Sequence, residues 1–503
     1  MKSVGNNAFF GNPWLVAIYF GEGIEEILFT TCAHCDNLER ITLPSTLKTF
    51  KGSFEGCGKL QNFTLNEGLE SIDGAFLYGA GLITRMIIPA SLKTITPSLA
   101  GTTSSHFTGY EVVASNPYFK SDNGVLLSKD GTILYDVPTS SEWVSDYTTP
   151  NGVVTIYPGC FYSVPSLNTL TFGDGVVEAA NAITSTRITT LNLPATLRQS
   201  PFSSYANGLR LQAINVAAGS QYLSSEDGIL YNADKTEVLF VPAGRHFDTL
   251  AFPDTVKTIG YRAMSCVNIN HFTFGKNVSM IRTRGISECG RYNPTLTEAG
   301  QTCILPASLT TLDPDGILFS CFFDQYSIDA NNPAFMIQNN MLLSKDGTRL
   351  YAILLGRNLS IDTLVVPSTV TSCNARLLSS IQRNIQTIDY SQTKITELSS
   401  YTIAGLSDGF QVKLPDTLER LYGGATVFSS SMESLEIPAN VTLVASSSIF
   451  ASNLKELIFK NKGTFTANSI FGAISRNCVI RGYRGSSAEG VARQYTLMFE
   501  PLD

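Results

Sequence analysis

The sequence is poor in charged residues. Asp, Glu, Lys and Arg make up 15% of its 503 residues, whereas about a quarter is usual in soluble proteins. A net charge of −7 offers no basic patch for nucleic acid or an anionic membrane, so we exclude both partners. Because 43% of the residues are hydrophobic, the polar surface must come from Ser, Thr, Asn and Gly, which suit strands and turns.

Long hydrophobic runs and a leader are also missing. No apolar stretch approaches the ~18 residues of a membrane-spanning helix, so we predict no transmembrane segment. Residues 1–7 carry one lysine with no apolar stretch behind it, which is not the pattern of a signal peptide. We expect a chain that stays inside the cell, one whose leader has been removed, or one exported by another route.

Cysteine and histidine are too sparse to indicate a site. Ten cysteines in 503 residues are too dilute for a disulfide framework. Cys32-Ala-His-Cys35 resembles half of a metal site, but tetrahedral zinc needs four ligands and no second such pair exists. We therefore predict buried structural roles for Cys35 and Cys57, with no metal and no cofactor. No histidine lies in a recognisable nucleophile elbow, so we predict no catalytic residues and no enzyme. The four histidines are His34, His106, His246 and His271.

A repeat of 21 to 24 residues dominates the chain. The segment L-E-R-I-T-L-P at 38–44 recurs at 60–65, 167–172, 435–438 and 454–459. Its alternation predicts a short strand with one inward side, ended by a following Pro or Gly. The period lies within the leucine-rich-repeat range and gives about 19 coils. The last apolar residue of each segment is its anchor: Phe20, Leu43, Leu65, Ile88, Val112, Thr149, Phe172, Leu193, Val216, Phe252, Phe274, Leu305, Ile328, Val366, Tyr390, Leu414, Ile437, Phe459 and Ile480.

Three related inserts interrupt the repeat, near 116–137, 222–241 and 332–353. Apolar–polar alternation on either side of Asp-Gly predicts a β-hairpin in each insert. Aspartates such as Asp130 and Asp346 lack the spacing of a calcium loop, so turn formation explains them better.

The two ends of the chain differ. We predict a solenoid over 1–481 and a cap over 482–503, because Ala488, Val491, Ala492 and Tyr495 follow one another at helical spacing. The N-terminal end begins within a repeat and has nothing polar to close it. An uncovered solenoid end exposes strand edge and apolar surface, so we expect a partner, self-association or a lost upstream segment there.

The outward strand position just before each anchor is rich in Thr, Ser and Asn. Threonine there has a simple explanation in β-propensity on a wet face. A whole row of such residues also forms a large ordered surface for a protein ligand, and we prefer this interpretation for the row. The predicted binding residues are Thr42, Thr64, Thr148, Thr171, Asn192, Asn215, Thr273, Ser327, Asp389, Lys413 and Glu436.

These features resemble the BspA-like leucine-rich repeat family of mucosal bacteria and parasitic protists. The frame F-x-x-C-x-x-L-x-x-I-x-L-P is present from Phe54 through Cys57, Leu60 and Phe63 to Leu65, and G-Y-x-G-S-x-A-E ends the repeats at 482–489. The resemblance implies adhesion and recognition of proteins, such as the matrix protein fibronectin or neighbouring cells, at the cell surface. It brings no catalytic residues. The missing leader and anchor depart from exported members.

The sequence thus predicts an α+β repeat, mostly β: a right-handed leucine-rich-repeat solenoid of about 19 coils with three hairpin inserts and a C-terminal cap. We expect a non-enzymatic, adhesin-like protein that binds host or matrix proteins through the exposed sheet face, at the surface or secreted. The alternative is an intracellular structural scaffold, a rod docked into a larger cytoskeletal or cytoplasmic assembly.

Overall fold

The chain folds into two compact units in a computed structural model. The units are Met1–Lys235 with Val241–Arg245, and Thr236–Phe240 with His246–Asp503. The described residues are 2–73, 79–96, 106–140, 142–184, 187–202, 210–289, 302–313, 318, 321, 323–354, 360–375, 377, 385–404, 409–424, 426–467 and 469–503.

Each coil of the first unit contributes a strand just before its apolar anchor, and we call these the first strand set. They are Ala17–Tyr19, Arg40–Thr42, Asn62–Phe63, Met86–Ile88, Tyr110–Val112, Asp146–Thr148, Thr169–Thr171, Thr190–Leu193 and Ala213–Val216. The chain then turns into shorter strands that form a second set and a third set. The second set comprises Ser3–Val4, Glu26–Ile27, Thr49–Phe50, Ser71–Ile72, Thr94–Ile95, Ile133–Asp136 and Thr155–Ile156, and the third Phe161–Tyr162 and Ile183–Thr184.

The second unit repeats this plan. Its first set comprises His246–Ala251, Asn268–Thr273, Thr302–Leu305, Gln325–Ile328, Ile361–Val365, Ile385–Asp389, Gln411–Lys413, Ser434–Ile437, Glu456–Phe459, Val479–Gly482 and Met498–Pro501. Its second set comprises Glu237–Phe240, Thr258–Ile259, Met280–Ile281, Thr311–Leu312, Arg349–Ile353, Ser372–Cys373, Glu397–Leu398, Arg420–Leu421, Leu443–Val444 and Thr466–Ala467. Its third set comprises Met264–Ser265, Ile286–Ser287, Ile403–Ala404, Val427–Phe428, Ile449–Ala451 and Phe471–Ile474.

Strands of one set pair in parallel with their counterparts in neighbouring coils. In the first unit Ile18 lies opposite Ile41, and Leu170 lies opposite Leu191. These inward residues are buried, so like side chains stack along a core inside each unit. The predicted mostly-β leucine-rich-repeat solenoid of about 19 turns is confirmed.

The inserts are antiparallel strands joined by tight turns. In the first, Phe119–Asp122 pairs with Val125–Ser128 across Asn123 and Gly124, whose φ angles of 47° and 81° suit a type I′ turn. Val125–Ser128 then pairs with Ile133–Asp136. In the third insert Phe335–Gln338 pairs with Met341–Ser344, which pairs with Arg349–Ile353. In the first unit's part of the second insert, Leu223–Glu226 pairs with Ile229–Asn232.

The Asp-Gly pairs of the first and third inserts lie in the second turn of each insert, not in the tight one. The Asp130 carboxylate accepts hydrogen bonds from the Ser128 hydroxyl at 2.6 Å and from the Thr132 N–H and hydroxyl at 3.0 and 2.9 Å. These bonds lower the pKa of Asp130 to about 2. Asp346 makes the same set of contacts with Ser344 and Thr348. Both carboxylates hold turns together.

The C-terminal residues form a helix followed by one more strand. The helix Ser487–Gln494 buries Ala488, Val491 and Ala492 in the second unit's core. Met498–Pro501 then pairs in parallel with Val479–Gly482, so this segment also extends the first set. A Cβ atom on Gly482 would lie 2.5 Å from the Cβ of Ala488, and the missing side chain is what lets the helix approach. The predicted boundary between 481 and 482 stays a prediction.

We predict that Gly482→Ala loosens this helix. The added methyl group collides with Ala488, and overpacking of this kind costs about 1–3 kcal/mol. The backbone amide hydrogens of residues 487–494 should exchange faster, by the factor that corresponds to this loss of free energy. Gly490→Ala is the matched control: it meets nothing within 4 Å and should slow exchange, because alanine favours a helix by up to about 1 kcal/mol. Unchanged exchange in Gly482→Ala would contradict the packing.

Candidate interaction surface

The outward side of the first strand set presents two rows of side chains. We call the residues just before the anchors the outer row, and the residues two positions earlier the inner row, since alternate residues of a strand share a face. The predicted binding residues all belong to the outer row. They divide among separate hydrogen-bonded sheets and do not form one continuous line.

Two of these sheets lie in the first unit. One places Thr42 opposite Tyr19 and brings Thr64 into the next coil. The other aligns four predicted residues, Thr148, Thr171, Asn192 and Asn215. In that sheet the Asn192 amide donates to the Thr171 hydroxyl at 3.0 Å, and the Asn215 amide donates to Asn192 Oδ1 at 2.9 Å. In this sheet the row of polar side chains is therefore linked from coil to coil by hydrogen bonds between Thr171, Asn192 and Asn215.

The predicted residues of the second unit lie in three sheets. Thr273 and Ser327 are separated in register by Ile304, which is 49% exposed. Asp389 and Lys413 face each other and form an ion pair at 3.3 Å. Burial raises the pKa of Asp389, but hydrogen bonds from Ser391 and Lys413 outweigh it and hold the pKa below its usual value.

The register of the last coils corrects one sequence-based position. The sequence predicts Val479 in the outer row after Ile458, but Ile458 lies opposite Arg481, which lies opposite Glu500. In this coil Gly482, which has no apolar side chain, occupies the anchor position. The last apolar residue of the segment is therefore Ile480, two positions earlier, and the sequence pattern places the anchor there.

Charges at this end of the second unit pair with one another. Glu436 pairs with Lys460 at 3.2 Å, while the Arg481 guanidinium lies 2.7 Å from Glu456 and 3.7 Å from Glu500. The charges of these side chains are therefore neutralised between coils.

Sequence analysis missed the inner row, although strand alternation alone identifies it. Arg40 and Arg85 belong to this row in the first unit, and Thr249, His271, Thr302 and Gln325 align in the second.

Two surface depressions were also not predicted from the sequence. One of about 400 Å³ is lined by Tyr19 and residues 40–43 and 64–66. The other, of about 760 Å³, is a polar groove in the second unit. Its lining residues are Gly409, Ser431, Glu433, Asn453, Lys455, Ser475, Asn477 and Val479.

The Cys32-to-Cys35 segment has structural contacts. The thiols of Cys35 and Cys57 are buried and donate to the carbonyl oxygens of Phe9 and Cys32, both at 3.0 Å. Burial raises the pKa of Cys57 to about 12 and that of Cys32 still further, which disfavours the thiolates that a metal would bind. His34 is half-exposed and lies beside the Phe10 ring. The described residues contain no group of three or more potential metal ligands.

The histidine with the clearest polar contacts is His246. Its Nε2 lies 3.0 Å from Asp248 Oδ1 on the same strand, and Asn270 donates to that carboxylate at 3.2 Å. Asp248 is exposed, so this contact is a surface ion pair when the imidazole is protonated.

One carboxyl group of the first unit is fully buried. The Tyr110 hydroxyl donates to Asp136 Oδ2 at 2.5 Å, and the Val137 N–H donates to Oδ1 at 2.9 Å. Burial raises the pKa of Asp136 to about 7 despite these two bonds, and it also raises the pKa of the neighbouring Cys160 thiol.

The described part of the chain has no helix of sufficient length and apolarity to span a membrane. Its stacked parallel strands and 21-to-24-residue period define a leucine-rich-repeat solenoid. The family description "BspA type Leucine rich repeat region" matches residues 1–102, 140–242, 243–309 and 356–477. The chain belongs to the BspA type leucine-rich repeat family. The unmatched stretches 103–139 and 310–355 contain the first and third inserts.

Several solved structures are similar to this chain at low sequence identity. The pneumococcal vaccine antigen PcpA is 12% identical, with 76% of this chain and 99% of that one covered and a TM-score of 0.41. A leucine-rich cell surface protein of Faecalibacterium prausnitzii is 15% identical, with 82% and 83% covered and a TM-score of 0.32. A leucine-rich repeat protein of Eubacterium ventriosum is 12% identical, with 80% and 82% covered and a TM-score of 0.32. The sequence matches no curated protein.

We predict that Asp136→Asn makes stability less dependent on pH. The folded-state pKa lies above the ordinary 3.8, so the stability present at low pH is lost as the pH rises towards about 7. Asparagine does not titrate: its Oδ1 can still accept from the Val137 N–H, while its amide N–H can donate to the Tyr110 hydroxyl oxygen in place of the bond that Asp136 accepts. The variant should therefore gain about 2–3 kcal/mol of unfolding free energy relative to wild type between pH 5 and pH 8. Guanidinium unfolding followed by circular dichroism measures this difference. If the variant and wild type differed in unfolding free energy by the same amount at pH 5 and at pH 8, the raised pKa would be contradicted.

Proposed function

We propose that this chain is a non-enzymatic protein-binding molecule that recognises host or matrix proteins, in the manner of an adhesin, through the outward face of its first strand set. The observation that supports this most strongly is the registered outer row, in which Thr148, Thr171, Asn192 and Asn215 follow one another in successive coils, the first and last exposed and the middle two half-buried. Such a face is already ordered before binding, so a ligand loses little additional conformational entropy of the receptor.

The contacts on this face support recognition over a broad area. The hydroxyls and amides of the Thr171–Asn192–Asn215 ladder hold one another in place while Asn215 stays exposed. Exposed apolar side chains interrupt the polar row at Ile87 and Ile304, which are 47% and 49% exposed. Protein-binding surfaces commonly combine polar groups that are held in place with isolated exposed apolar side chains.

A triple substitution on the outer row tests the proposal. Thr148→Lys, Thr273→Lys and Ser327→Lys together place long charged side chains on the face, and all three positions are exposed. We expect at least a tenfold weaker affinity for immobilised fibronectin, laminin or collagen, measured by surface plasmon resonance, because the lysines obstruct close contact.

The matched control carries the same residue types and charge on the second strand set: Thr94→Lys, Thr311→Lys and Ser372→Lys, which are also exposed. It should bind as wild type does. Equal loss in both triple variants, or no binding of wild type to any of the three matrix proteins, would contradict recognition through the first-set face.

An intracellular scaffold rod is the second candidate function, and the cysteines favour it. All ten lie in the described residues without a disulfide between them, and nine are buried. Disulfides are the norm in secreted proteins and rare in the cytosol. Protein purified from its own cells distinguishes the two: ten reactive thiols after denaturation and no glycan at Asn62 or Asn277 favour the scaffold.

A further inference from the structure

The polar groove of about 760 Å³ crosses four coils of the second unit. Its lining forms two rows in which each residue follows the previous one by 22 positions, one coil further on. The volume lies within the usual range of ligand sites, and the regular rows suit a ligand that is itself a repeating chain. The first row is Gly409, Ser431, Asn453 and Ser475, the second is Glu433, Lys455 and Asn477, and the remaining lining residue is Val479.

The groove carries no net charge. Glu433 and Lys455 are its charged lining residues, and they form an ion pair at 2.7 Å between neighbouring coils. Because each charge already has a partner, the lining offers no unpaired counter-charge to an ionic ligand. The lining therefore favours a neutral ligand over an acidic or a basic one.

Hydrogen-bonding groups remain available along both rows. The Asn453 amide nitrogen donates to the carbonyl oxygen of Ser430 at 2.5 Å, which holds the amide in place while its Oδ1 has no partner within the described ranges. The side-chain amide of Asn477 has no hydrogen bond to any residue that the structure describes. The Ser475 hydroxyl accepts the Asn477 N–H at 3.2 Å and keeps its own hydrogen to donate. The groove thus presents donors and acceptors side by side, which is the pattern that the hydroxyl groups of a sugar require.

Apolar surface is scarce in the groove. Val479, which is half-buried, is the one hydrophobic side chain among the described residues that line it. An aliphatic or aromatic side chain of a peptide would therefore bury little of its surface here, although burial of apolar surface is the main source of its affinity. A sugar ring needs only a small apolar contact for its C–H face, since its hydroxyls form hydrogen bonds.

The spacing of the rows also distinguishes a saccharide from a peptide. Successive coils lie about 4.8 Å apart, the distance between paired strands, as between Ser434–Ile437 and Glu456–Phe459. Side chains on one face of an extended peptide recur about every 6.8 Å, so they fall out of step with the rows. One pyranose unit of an oligosaccharide is about as long as one coil is thick, so successive units can meet equivalent groups.

We propose that this groove binds a neutral, unbranched oligosaccharide with about one sugar unit per coil. The amides of Asn453 and Asn477 bind its hydroxyls, and one ring packs against Val479. The inference goes beyond the proposed recognition of proteins, because the ligand belongs to another chemical class and the residues that bind it are not those of the outer row.

Isothermal titration calorimetry of the full chain tests the proposal with three neutral hexasaccharides, of β-1,4-linked glucose, mannose and N-acetylglucosamine. We expect at least one of them to bind with a dissociation constant below roughly 1 mM. Each exposed hydrogen bond competes with water and contributes little, so the affinity depends on the number of coils in contact. The corresponding disaccharide should bind at least tenfold more weakly. Because the ligand is neutral, its affinity should be the same at 20 and 300 mM salt.

Substitution of the groove amides tests the residues themselves. Asn453→Ala combined with Asn477→Ala should weaken binding at least tenfold, because each lost hydrogen bond costs about fivefold in affinity. Asn440→Ala is the matched control for Asn453→Ala: Asn440 is exposed and donates to the Asp416 carbonyl of the preceding coil at 2.7 Å, but it does not line the groove. The two single variants should lower the melting temperature alike, and only Asn453→Ala should weaken saccharide binding.

Four results would overturn the inference. They are no binding of any of the three hexasaccharides at 10 mM, equal weakening by Asn453→Ala and Asn440→Ala, binding that weakens as salt is raised, and tighter binding of a sulfated hexasaccharide than of the neutral ones.

The proposed function is tested separately, because the Thr148, Thr273 and Ser327 triple variant keeps every residue of the groove. This variant should bind the hexasaccharide as wild type does. If saccharide binding fails while the triple variant still loses matrix-protein binding, the groove site is wrong and the proposed function stands. If the triple variant binds matrix proteins normally, the proposed function fails and the groove site is unaffected.

Discussion

Parallel pairing of each strand with its counterpart one coil away is the constraint on which the rest of each unit depends. Most strands here have two to four residues, too few for independent stability. They are stable because every coil buries its apolar side against neighbours of the same pattern. A slip of one residue would turn inward residues such as Leu191 and Leu193 out to solvent, so the packing also fixes the register. The outward rows are a consequence of that fixed register.

Many polar residues that look functional in the sequence are occupied with holding coils and inserts together. Buried Asn116 donates to the carbonyls of Pro89 and Leu92 in the preceding coil, while its own oxygen accepts the N–H groups of Tyr118 and Phe119. Asn332 makes the equivalent four bonds at the third insert. The exposed outer-row hydroxyls of Thr148, Thr273 and Ser327 lie apart from these structural contacts.

The repeat, its anchors and the inserts can be predicted from the sequence because they depend on local alternation and turn residues. Features that depend on contacts between coils cannot be predicted from the sequence. Gly482 replaces the last anchor because Ala488 of the helix packs against it, so the pattern at Ile480 misleads by two positions. The buried bond from Tyr110 to Asp136 joins residues 26 apart, and neither residue type signals it. Arg40 could be placed on the face by alternation, but the structure was needed to see that no carboxylate of the described residues pairs with it.

We propose that recognition uses the registered first-set face. Hydroxyl-radical footprinting with a bound matrix protein tests it directly, because the outer row contains reactive, exposed reporters. Tyr19 and Ile87 report on the first unit, and Ile304 and Val365 on the second. We predict that the partner protects the outer-row reporters of at least one unit while Tyr222 and Tyr261, exposed elsewhere, keep their reactivity. Protection of Tyr222 or Tyr261 with all four outer-row reporters unchanged would contradict the claim.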